Sequence, residues 1–307
     1  MTMGAFPYAQ DSVRFLNVDR LDQQRFAIVG IPWDGSVTNR PGARFGPAAI
    51  RRSSLMLCDA IHPVFDCSPI ALTGDYGDLN LPNASGLAAA RSEIERQLAP
   101  LVATRHCICL GGDHSVTLGI LRALYQVHGK MSLIHFDAHC DTWFDHFDEP
   151  SGHGTWVYEA ISQGLVDPKR TVQIGIRSSG AKQVREFVNH QGGQIFDARS
   201  LWGQEGPLLD SMVQSIVQRM ENTPVYLTFD IDCIDPAFAP ATGTPEPAGL
   251  TSSQGLYLIE QLSAQPLNFV GMDVVEVAPP YDHAELTSSL AATLVWSYLS
   301  GQCARTL

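Results

Sequence analysis

The sequence has no run of about 18 or more apolar residues, and it has few basic residues. The first absence excludes a membrane-spanning helix. The chain carries 20 Lys and Arg against 32 Asp and Glu, a formal net charge of -12. An acidic surface repels phosphate, so the composition excludes nucleic acid as a partner and favours a cationic substrate or a metal ion.

Cysteines are also few and widely spaced. Their number is seven, which is odd, and no pair has C-x-x-C spacing. We therefore predict neither a disulfide framework nor a thiolate zinc site. The first residues, MTMGAFPYAQDSVRF, lack the basic start and apolar core of a secretory signal. We expect reduced thiols and a cytoplasmic location.

The order of apolar and helical segments predicts the fold class. The chain has 307 residues, 45% of them hydrophobic, enough for one large core. Short apolar segments alternate with helical patterns, and several are apolar at nearly every position, as in parallel strands buried on both faces. We predict one α/β domain over residues 1–307, with helices on both faces of a mostly parallel sheet. Residues 1–25 are predicted to form an N-terminal extension packed on it.

The predicted elements follow from these patterns. The predicted strands are FAIVGIPW, CICLGG, MSLIHFDAH, TVQIGIRS, GQIFDA, PVYLTFDID and NFVGMDVVEV. The predicted helices are GPAAIRRSSLML, GLAAARSEIERQLAPLVA, SVTLGILRALYQVHG, AKQVREFVNHQG, EGPLLDSMVQSIVQRMEN, TSSQGLYLIEQLSA and LTSSLAATLVWSYLSGQ. In the third helix, Ser115 is placed to cap the start and Gly129 to end it.

Polar side chains follow four of the predicted strands. They are Asp113 and His114, then Asp137, His139 and Asp141, then Asp230 and Asp232, and finally Asp273 and Glu276. In extended backbone, alternate residues point to one side, so the side chains of HFDAHCD should converge. Because the carboxyl ends of parallel strands meet at one sheet edge, all four sets should lie together there. So many carboxylates need a cation among them.

The donor types indicate which cation. Two imidazoles with four or more carboxylates favour Mn²⁺, with Mg²⁺, Fe²⁺ or Co²⁺ as alternatives, over thiolate-bound zinc. Six ligands, with some carboxylates shared, are enough for two ions. Two such ions about 3.5–4 Å apart hold and acidify a water between them. The predicted ligands are His114, Asp137, His139, Asp141, Asp230 and Asp232.

Five motifs resemble those of the ureohydrolase family of arginase, agmatinase and the guanidino-acid amidinohydrolases. They are GGDHS, DAHCD, SGHGT, TFDIDCIDPAFAPATGTPEPAGLT and GMDVVEVAPPYD, and GIPWDGSVTNRPGARFGPAAIR fits the same family. The resemblance covers nearly the whole chain, and the agmatinase branch is most similar. It implies an arginase-like fold, a single three-layer α/β/α domain with a mostly parallel central sheet, and two Mn²⁺ per subunit.

The resemblance also assigns the ligands. It implies His114, Asp137, Asp141 and Asp230 for one ion. It implies Asp137, His139, Asp230 and Asp232 for the other, with Asp137 and Asp230 shared. The implied reaction is hydrolysis of a linear guanidino compound to urea and an amine, with agmatine to putrescine as our first prediction. Related enzymes form homo-oligomers, so we expect a hexamer or trimer.

Three residues are predicted to act on the substrate. A planar guanidinium is held by a carboxylate that accepts two N–H bonds, and Glu276 is our prediction for it. The leaving amine needs a proton. Asp141 and His153, in SGHGT, are the two predicted carriers. Asp113 and Asp273 suit either a structural or an orienting role, the glycines of GGDHS are expected to allow a tight turn, and Cys140 is expected to pack away from the site.

The far end of the substrate is less constrained. The loop TWFDHFDEPSG carries Asp145, Asp148 and Glu149, several aromatics and no Lys or Arg, which favours a distal cation such as that of agmatine. Glu246 occurs where guanidino-acid relatives often have Glu, so 4-guanidinobutyrase or 3-guanidinopropionase is the alternative. Arg177 or Lys182 in the cleft would favour a carboxylate.

Two other function classes were weighed. A metallophosphoesterase shares D-x-H and G-D-x motifs, but it should also have GNH and GHxH motifs, which the sequence lacks. An inactive scaffold should have lost ligands or Glu276, and all are present.

Overall fold

The computed structural model describes residues 13–20, 23–81, 86–145, 147–220 and 222–306. At its centre is an eight-stranded sheet in which every adjacent pair of strands is parallel. The strands are β1 (Phe26–Gly30), β2 (Thr73–Asp78), β3 (His106–Leu110), β4 (Met131–Phe136), β5 (Val166–Ile176), β6 (Gln194–Asp197), β7 (Pro224–Asp230) and β8 (Asn268–Val275). Their order across the sheet is β2-β1-β3-β8-β7-β4-β5-β6.

Helices cover both faces of this sheet. They are α1 (Gly46–Ser54), α2 (Gly86–Val102), α3 (Thr117–His128), α4 (Trp156–Ser162), α5 (Lys182–Arg185), α6 (Phe187–His190), α7 (Asp210–Met220), α8 (Ser252–Ala264) and α9 (Leu286–Ala304). The core between the sheet and α1, α7, α8 and α9 is separate from the core beneath α2, α3 and α4. Along β1, Phe26 and Ile28 enter the first core and Ala27 and Val29 the second, as period-2 alternation requires. The predicted three-layer α/β/α fold is confirmed.

Strand β2 and helix α4 were missed by the sequence patterns. The β2 sequence, TGDYGD, is rich in Gly and Asp, which are depleted in strands. It forms at the sheet edge because its Asp75 carboxylate accepts two hydrogen bonds from the buried Arg51 of α1, at 2.8 and 3.0 Å. That partner lies 24 residues away, so local pattern does not reveal it.

Two predicted helix boundaries were also wrong. A 3₁₀ turn over His114–Val116 precedes α3, and its N-cap is Asp113, whose carboxylate accepts from the Ser115 amide at 3.0 Å. Ser115 therefore does not cap α3, although α3 does end before Gly129, as predicted, and Gly129 has a positive φ of 68°. The helix predicted over residues 181–192 is split into α5 and α6 at Glu186.

The domain assignment stays a prediction. Residues 1–12 and 21–22 of the predicted extension lie outside the described residues. Within its described part, Phe15 is fully buried and its amide donates to Asp75 at 2.8 Å.

Candidate active site

The predicted polar residues gather at the carboxyl ends of four central strands. The strands β3, β8, β7 and β4 are neighbours in the sheet, and the predicted polar residues lie at or just beyond their carboxyl ends, except Asp273, which lies within β8. The sheet order, which the chain order does not show, therefore brings the four sets together.

The loop after β4 is not extended, contrary to our prediction for HFDAHCD. The strand ends at Phe136, and Asp141 has a left-handed backbone with φ 51°. Its carboxylate accepts from Trp156 Nε1 at 2.6 Å, and its carbonyl accepts from the Val157 amide at 3.0 Å. The start of α4 thus holds Asp141 in a conformation that non-glycine residues rarely adopt.

One cluster of predicted ligands surrounds His114 Nδ1. This atom lies 3.0 Å from Asp137 Oδ2, 3.1 Å from Asp230 Oδ2 and 3.3 Å from Asp141 Oδ2. It is buried, and no described residue is aligned with it as a hydrogen-bond partner. The other ring nitrogen, Nε2, lies 2.8 Å from Thr228 Oγ1. A lone pair on Nδ1 that faces three carboxylates is the arrangement of a cation site.

A second cluster surrounds His139 Nδ1. This atom lies 3.0 Å from Asp232 Oδ2 and 3.3 Å from Asp137 Oδ1. Asp137 therefore presents one oxygen to each histidine, as a shared ligand must. The structure brings all six predicted ligands together, and their oxygen-rich donor set fits a pair of hard divalent cations.

The charges of these buried groups do not balance among themselves. Burial and the Asp137 charge raise the pKa of Asp141 to about 8, although the nearby histidines oppose the rise. Burial also raises the pKa of Asp230, to well above its usual value. Burial lowers the pKa values of His114 and His139, but the adjacent aspartates raise both well above the usual value. The site therefore takes up protons unless another cation compensates its carboxylates.

Sequence reasoning did not name His135, which is fully buried beneath these ligands. Its Nε2 lies 2.8 Å from Asp137 Oδ2, and it could itself join His114, Asp137 and Asp141 around an ion. A signal was present in the sequence, since His135 stands two residues before Asp137 and points to the same side of the strand.

The carboxylate of Glu276 is buried, and only one of its two oxygens has hydrogen-bond partners among the described residues. Its Oε1 accepts from the His114 amide at 2.9 Å and lies 3.0 Å from His153 Nδ1. Its Oε2 has no hydrogen-bond partner among the described residues. Glu276 also has a left-handed backbone, with φ 62°. The sequence predicted that the Glu276 carboxylate would accept two N–H bonds from a guanidinium. Because Oε1 already has two partners, only Oε2 remains to accept one.

His153 connects Glu276 to Thr38, which lies in the motif GIPWDGSVTNRPGARFGPAAIR but was not predicted as a site residue. Its Nε2 accepts from the Thr38 amide at 3.2 Å, so Nδ1 carries the proton and donates to Glu276. Burial lowers the pKa of His153, but Glu276 raises it to a net value of about 9. The Thr38 bond favours the neutral ring, and the Glu276 bond is present in either protonation state.

Asp113 and the adjacent glycines have structural roles. The two oxygens of Asp113 accept from Ser115 and from Ser36, so this side chain fastens the β3 turn to another loop. Neither glycine has a positive φ, so the turn does not depend on the left-handed conformation that glycine permits. A Cβ on Gly112 would lie 1.6 Å from the Trp33 carbonyl oxygen, so close backbone approach requires this glycine.

Asp273 and Cys140 also lie away from the cluster of ligands. Asp273 accepts from Thr117 at 2.7 Å and from Tyr226 at 2.8 Å, in the interior beneath the site. Cys140 packs against Ile176 and Val184, as expected.

A cavity of about 450 Å³ opens above the ligands. Of the three acidic loop residues predicted to contact substrate, Asp145 lines it, whereas Asp148 and Glu149 are exposed and do not. Glu246 also lines the cavity, and its Oε1 lies 3.8 Å from His139 Nε2. Trp143 and Phe147, two aromatics of the loop TWFDHFDEPSG, also line the cavity, as do Thr38 and Thr244, which were not predicted as site residues.

The two basic residues considered for this cavity lie elsewhere. Arg177 donates to backbone carbonyls, among them those of Asp232 and Glu246, and so braces the loop that carries them. Lys182 is exposed and lies 3.8 Å from Glu186. Among the described residues that line the cavity, none is Lys or Arg.

Comparison with known proteins gives consistent matches. A sequence model of the arginase family matches residues 24–301. The agmatinase of Cronobacter sakazakii is 42% identical over 312 residues, covering 99% of this chain and 95% of its own. The agmatinase of Chromobacterium violaceum is 42% identical over 277 residues, covering 89% and 82%.

Solved structures agree with these matches. The crystal structure of a hypothetical agmatinase from Burkholderia thailandensis has a TM-score of 0.87 and 36% identity, covering 97% of this chain and 93% of its own. The proclavaminate amidino hydrolase of Streptomyces clavuligerus has a TM-score of 0.87 and 34% identity, covering 98% and 99%.

In the described part of the chain, every helix is too short or too polar to cross a bilayer.

Proposed function

The chain belongs to the arginase family and is an amidinohydrolase that acts on guanidino C–N bonds, and from this premise we propose that it hydrolyses agmatine to putrescine and urea. The observation that carries this proposal is that the two histidine–aspartate clusters reach the cavity wall through His114, His139, Asp141 and Asp230, while the buried Glu276 contacts His153 of the same wall and keeps Oε2 without a partner among the described residues.

We assign the cofactor as two Mn²⁺ ions. His114, Asp137, Asp141 and Asp230 would hold one ion, and Asp137, His139, Asp230 and Asp232 the other. The unpartnered His114 Nδ1 among three carboxylate oxygens supports this assignment. When bound, two such ions lower the pKa of a water shared between them and so supply a nucleophile near neutral pH.

Glu276 binds and orients the substrate in this scheme. Its Oε1 is held by the His114 amide and by His153, so Oε2 accepts an N–H of the guanidinium. A buried carboxylate binds a planar cation strongly, and fixing its orientation removes much of the entropic barrier. The left-handed backbone of Glu276 is strain that fixes the direction of this carboxylate.

Asp141 and His153 are the two proposed proton carriers to the leaving amine. Both line the cavity, and both are held by hydrogen bonds to other side chains. His153 is the one that is not also a proposed metal ligand, so it can be removed without disturbing the proposed ions.

The charge of the cavity selects agmatine over the alternative guanidino acids. Asp145 and Glu246 lie on the wall without a basic residue among the described lining residues. The ammonium end of agmatine is attracted to them, whereas the carboxylate of guanidinobutyrate or guanidinopropionate is repelled.

The test is urea release with Mn²⁺ on agmatine, guanidinobutyrate, guanidinopropionate and arginine. We expect agmatine to have the highest kcat/KM, by roughly tenfold or more, the factor that corresponds to about 1.4 kcal/mol. A higher kcat/KM for either guanidino acid would reject agmatine as the substrate. Equal inactivity on all four compounds would reject the function.

We also propose a homo-oligomer, a trimer or hexamer, located in the cytoplasm. The oligomer rests on the family resemblance, and light scattering after size-exclusion chromatography measures it. It does not rest on α9, because most of that helix is buried in the core of its own chain. The location is supported by seven free cysteines, which suit a reducing compartment.

A further inference from the structure

A row of buried polar side chains crosses the sheet one layer beneath the proposed metal ligands. Gln173 of β5 is paired with His135 of β4, His135 with Thr228 of β7, and Thr228 with Asp273 of β8. All four residues have no exposed surface. Buried polar groups in the middle of a sheet are costly unless they are hydrogen-bonded, so the contacts of each one carry information.

The contacts of Gln173 fix the proton of His135. Gln173 Nε2 donates to the Cys140 carbonyl at 2.7 Å, and a carbonyl only accepts, so this atom is the amide nitrogen. The same Nε2 lies 3.0 Å from His135 Nδ1, which therefore accepts its second N–H. The ring proton of His135 must then be on Nε2.

That proton points at the shared carboxylate of the site. His135 Nε2 lies 2.8 Å from Asp137 Oδ2, so the N–H donates to this oxygen. Asp137 Oδ2 is the oxygen that also faces His114 Nδ1, while Oδ1 faces His139 Nδ1. The distances alone would allow His135 to be a fourth ligand beside His114, Asp137 and Asp141. A protonated Nε2 cannot bind a cation, so this tautomer excludes that role.

We propose that His135, oriented by Gln173, is a positioning residue that holds the Asp137 carboxylate in place to be shared by two metal ions. The inference rests on the proposed metal centre but not on the identity of the substrate. His135 packs edge-on against Trp156, with ring centroids 5.1 Å apart, so its plane has little freedom. A rigid N–H donor stops Asp137 from rotating away from the position that serves both histidines.

The test is a Mn²⁺ titration of the full-length protein, with unbound Mn²⁺ measured by electron paramagnetic resonance. His135→Phe keeps an aromatic ring but removes the donor. We expect it to retain the wild-type number of bound ions and to weaken their binding by roughly 10- to 100-fold, the range for lost partners of metal ligands. His135→Gln places an amide N–H near the former Nε2 and should restore affinity to within a few fold of wild type.

Two further variants separate this role from packing. Gln173→Met removes the group that fixes the His135 tautomer, so it should weaken binding in the same direction by a smaller factor. If His135→Phe does not fold, this variant and His135→Gln still decide the question. His106→Phe replaces a histidine of β3 that contacts Tyr298 instead of the site, and it should bind Mn²⁺ like wild type.

Three results would overturn the proposal. Unchanged Mn²⁺ affinity in both His135→Phe and Gln173→Met would show that the row of buried polar side chains serves only to pack the core. Loss of one bound ion in both His135→Phe and His135→Gln would make His135 a ligand. No Mn²⁺ binding by the wild type would overturn the metal centre together with this proposal. Failure to hydrolyse agmatine with normal Mn²⁺ binding would reject only the proposed substrate.

Discussion

Two side chains with proposed roles at the site are on residues with a left-handed backbone, Asp141 with φ 51° and Glu276 with φ 62°. Each such residue costs about 1–3 kcal/mol and persists only where its surroundings enforce it. Trp156 and the α4 amides enforce it at Asp141, and the His114 amide and His153 hold the Glu276 carboxylate. At the residue scale, the orientation of these two carboxylates is thus fixed by a conformation that lowers local stability.

Glu276→Gln tests this direction. The amide oxygen can still accept from His114 and His153, which places the NH₂ group where Oε2 was. The guanidinium then meets a donor, so kcat/KM for agmatine should fall roughly 30-fold or more, because losing a buried charge partner costs about 2–5 kcal/mol. Metal content, measured on the same sample by elemental analysis, should not change. Wild-type turnover in this variant would remove Glu276 from substrate binding.

The two acidic residues of the cavity wall, Asp145 and Glu246, lead to a second prediction at the residue scale. Asp145→Asn combined with Glu246→Gln should raise KM for agmatine by roughly 2- to 30-fold, as two partly exposed charge pairs at about 0.2–1 kcal/mol each predict. KM for guanidinobutyrate should fall or stay constant. The matched control is Asp148→Asn with Glu149→Gln, which removes two exposed charges off the wall and should have a smaller effect. Equal effects of the two double variants would mean that the wall does not select charge.

At the scale of elements, the register of strand pairing brings together buried side chains that the loop sequences do not connect. The pairing of β5, β4, β7 and β8 lines up Gln173, His135, Thr228 and Asp273 beneath the site. The strand patterns predicted that these segments are buried strands but not which strands are neighbours. The short helix α4 escaped prediction because seven residues are too few for a periodic pattern, yet it holds Asp141.

His106 of β3, which contacts Tyr298 of α9, leads to a prediction at the scale of elements. Burial lowers the pKa of His106 to about 3, with help from Arg25, His128 and Arg305. The unfolded chain binds a proton near pH 6.5 that the folded chain excludes until about pH 3, so stability falls as pH falls through this window. His106→Gln should therefore gain stability relative to wild type by up to about 2 kcal/mol on going from pH 7.5 to pH 5.

Urea unfolding at several pH values measures this gain. A pH-independent difference for His106→Gln would show that folding does not lower the pKa of His106.

At the scale of the whole molecule, the centre of the sheet carries a buried cluster of uncompensated charge. Four aspartates and two histidines converge there, and burial with mutual repulsion raises the pKa values of Asp141 and Asp230. Such a cluster destabilises the fold unless a cation is bound. Folding and metal binding should therefore be coupled.

Mn²⁺ should raise the melting temperature of the protein by several degrees over a sample treated with a chelator. At a free concentration of 100 times Kd, binding to the folded state alone adds about 2.7 kcal/mol per site. Differential scanning fluorimetry with Mn²⁺, Mg²⁺ and chelator measures it. Asp232→Ala should lose most of the Mn²⁺ effect together with activity, and a shift equal to that of wild type would contradict its assignment as a ligand.

The sequence by itself determined the layered α/β class, the positions of most strands and helices, and the six clustered side chains proposed as ligands, because hydrophobic periodicity and strand-end polarity are local signals. Only the tertiary structure decided which acidic residues reach the cavity, that Arg177 braces a loop and that His135 supports Asp137. The contacts of Arg177 join residues tens of positions apart, and the role of His135 depends on Gln173, which also lies tens of positions away. Chain folding sets such contacts, and local pattern does not encode them.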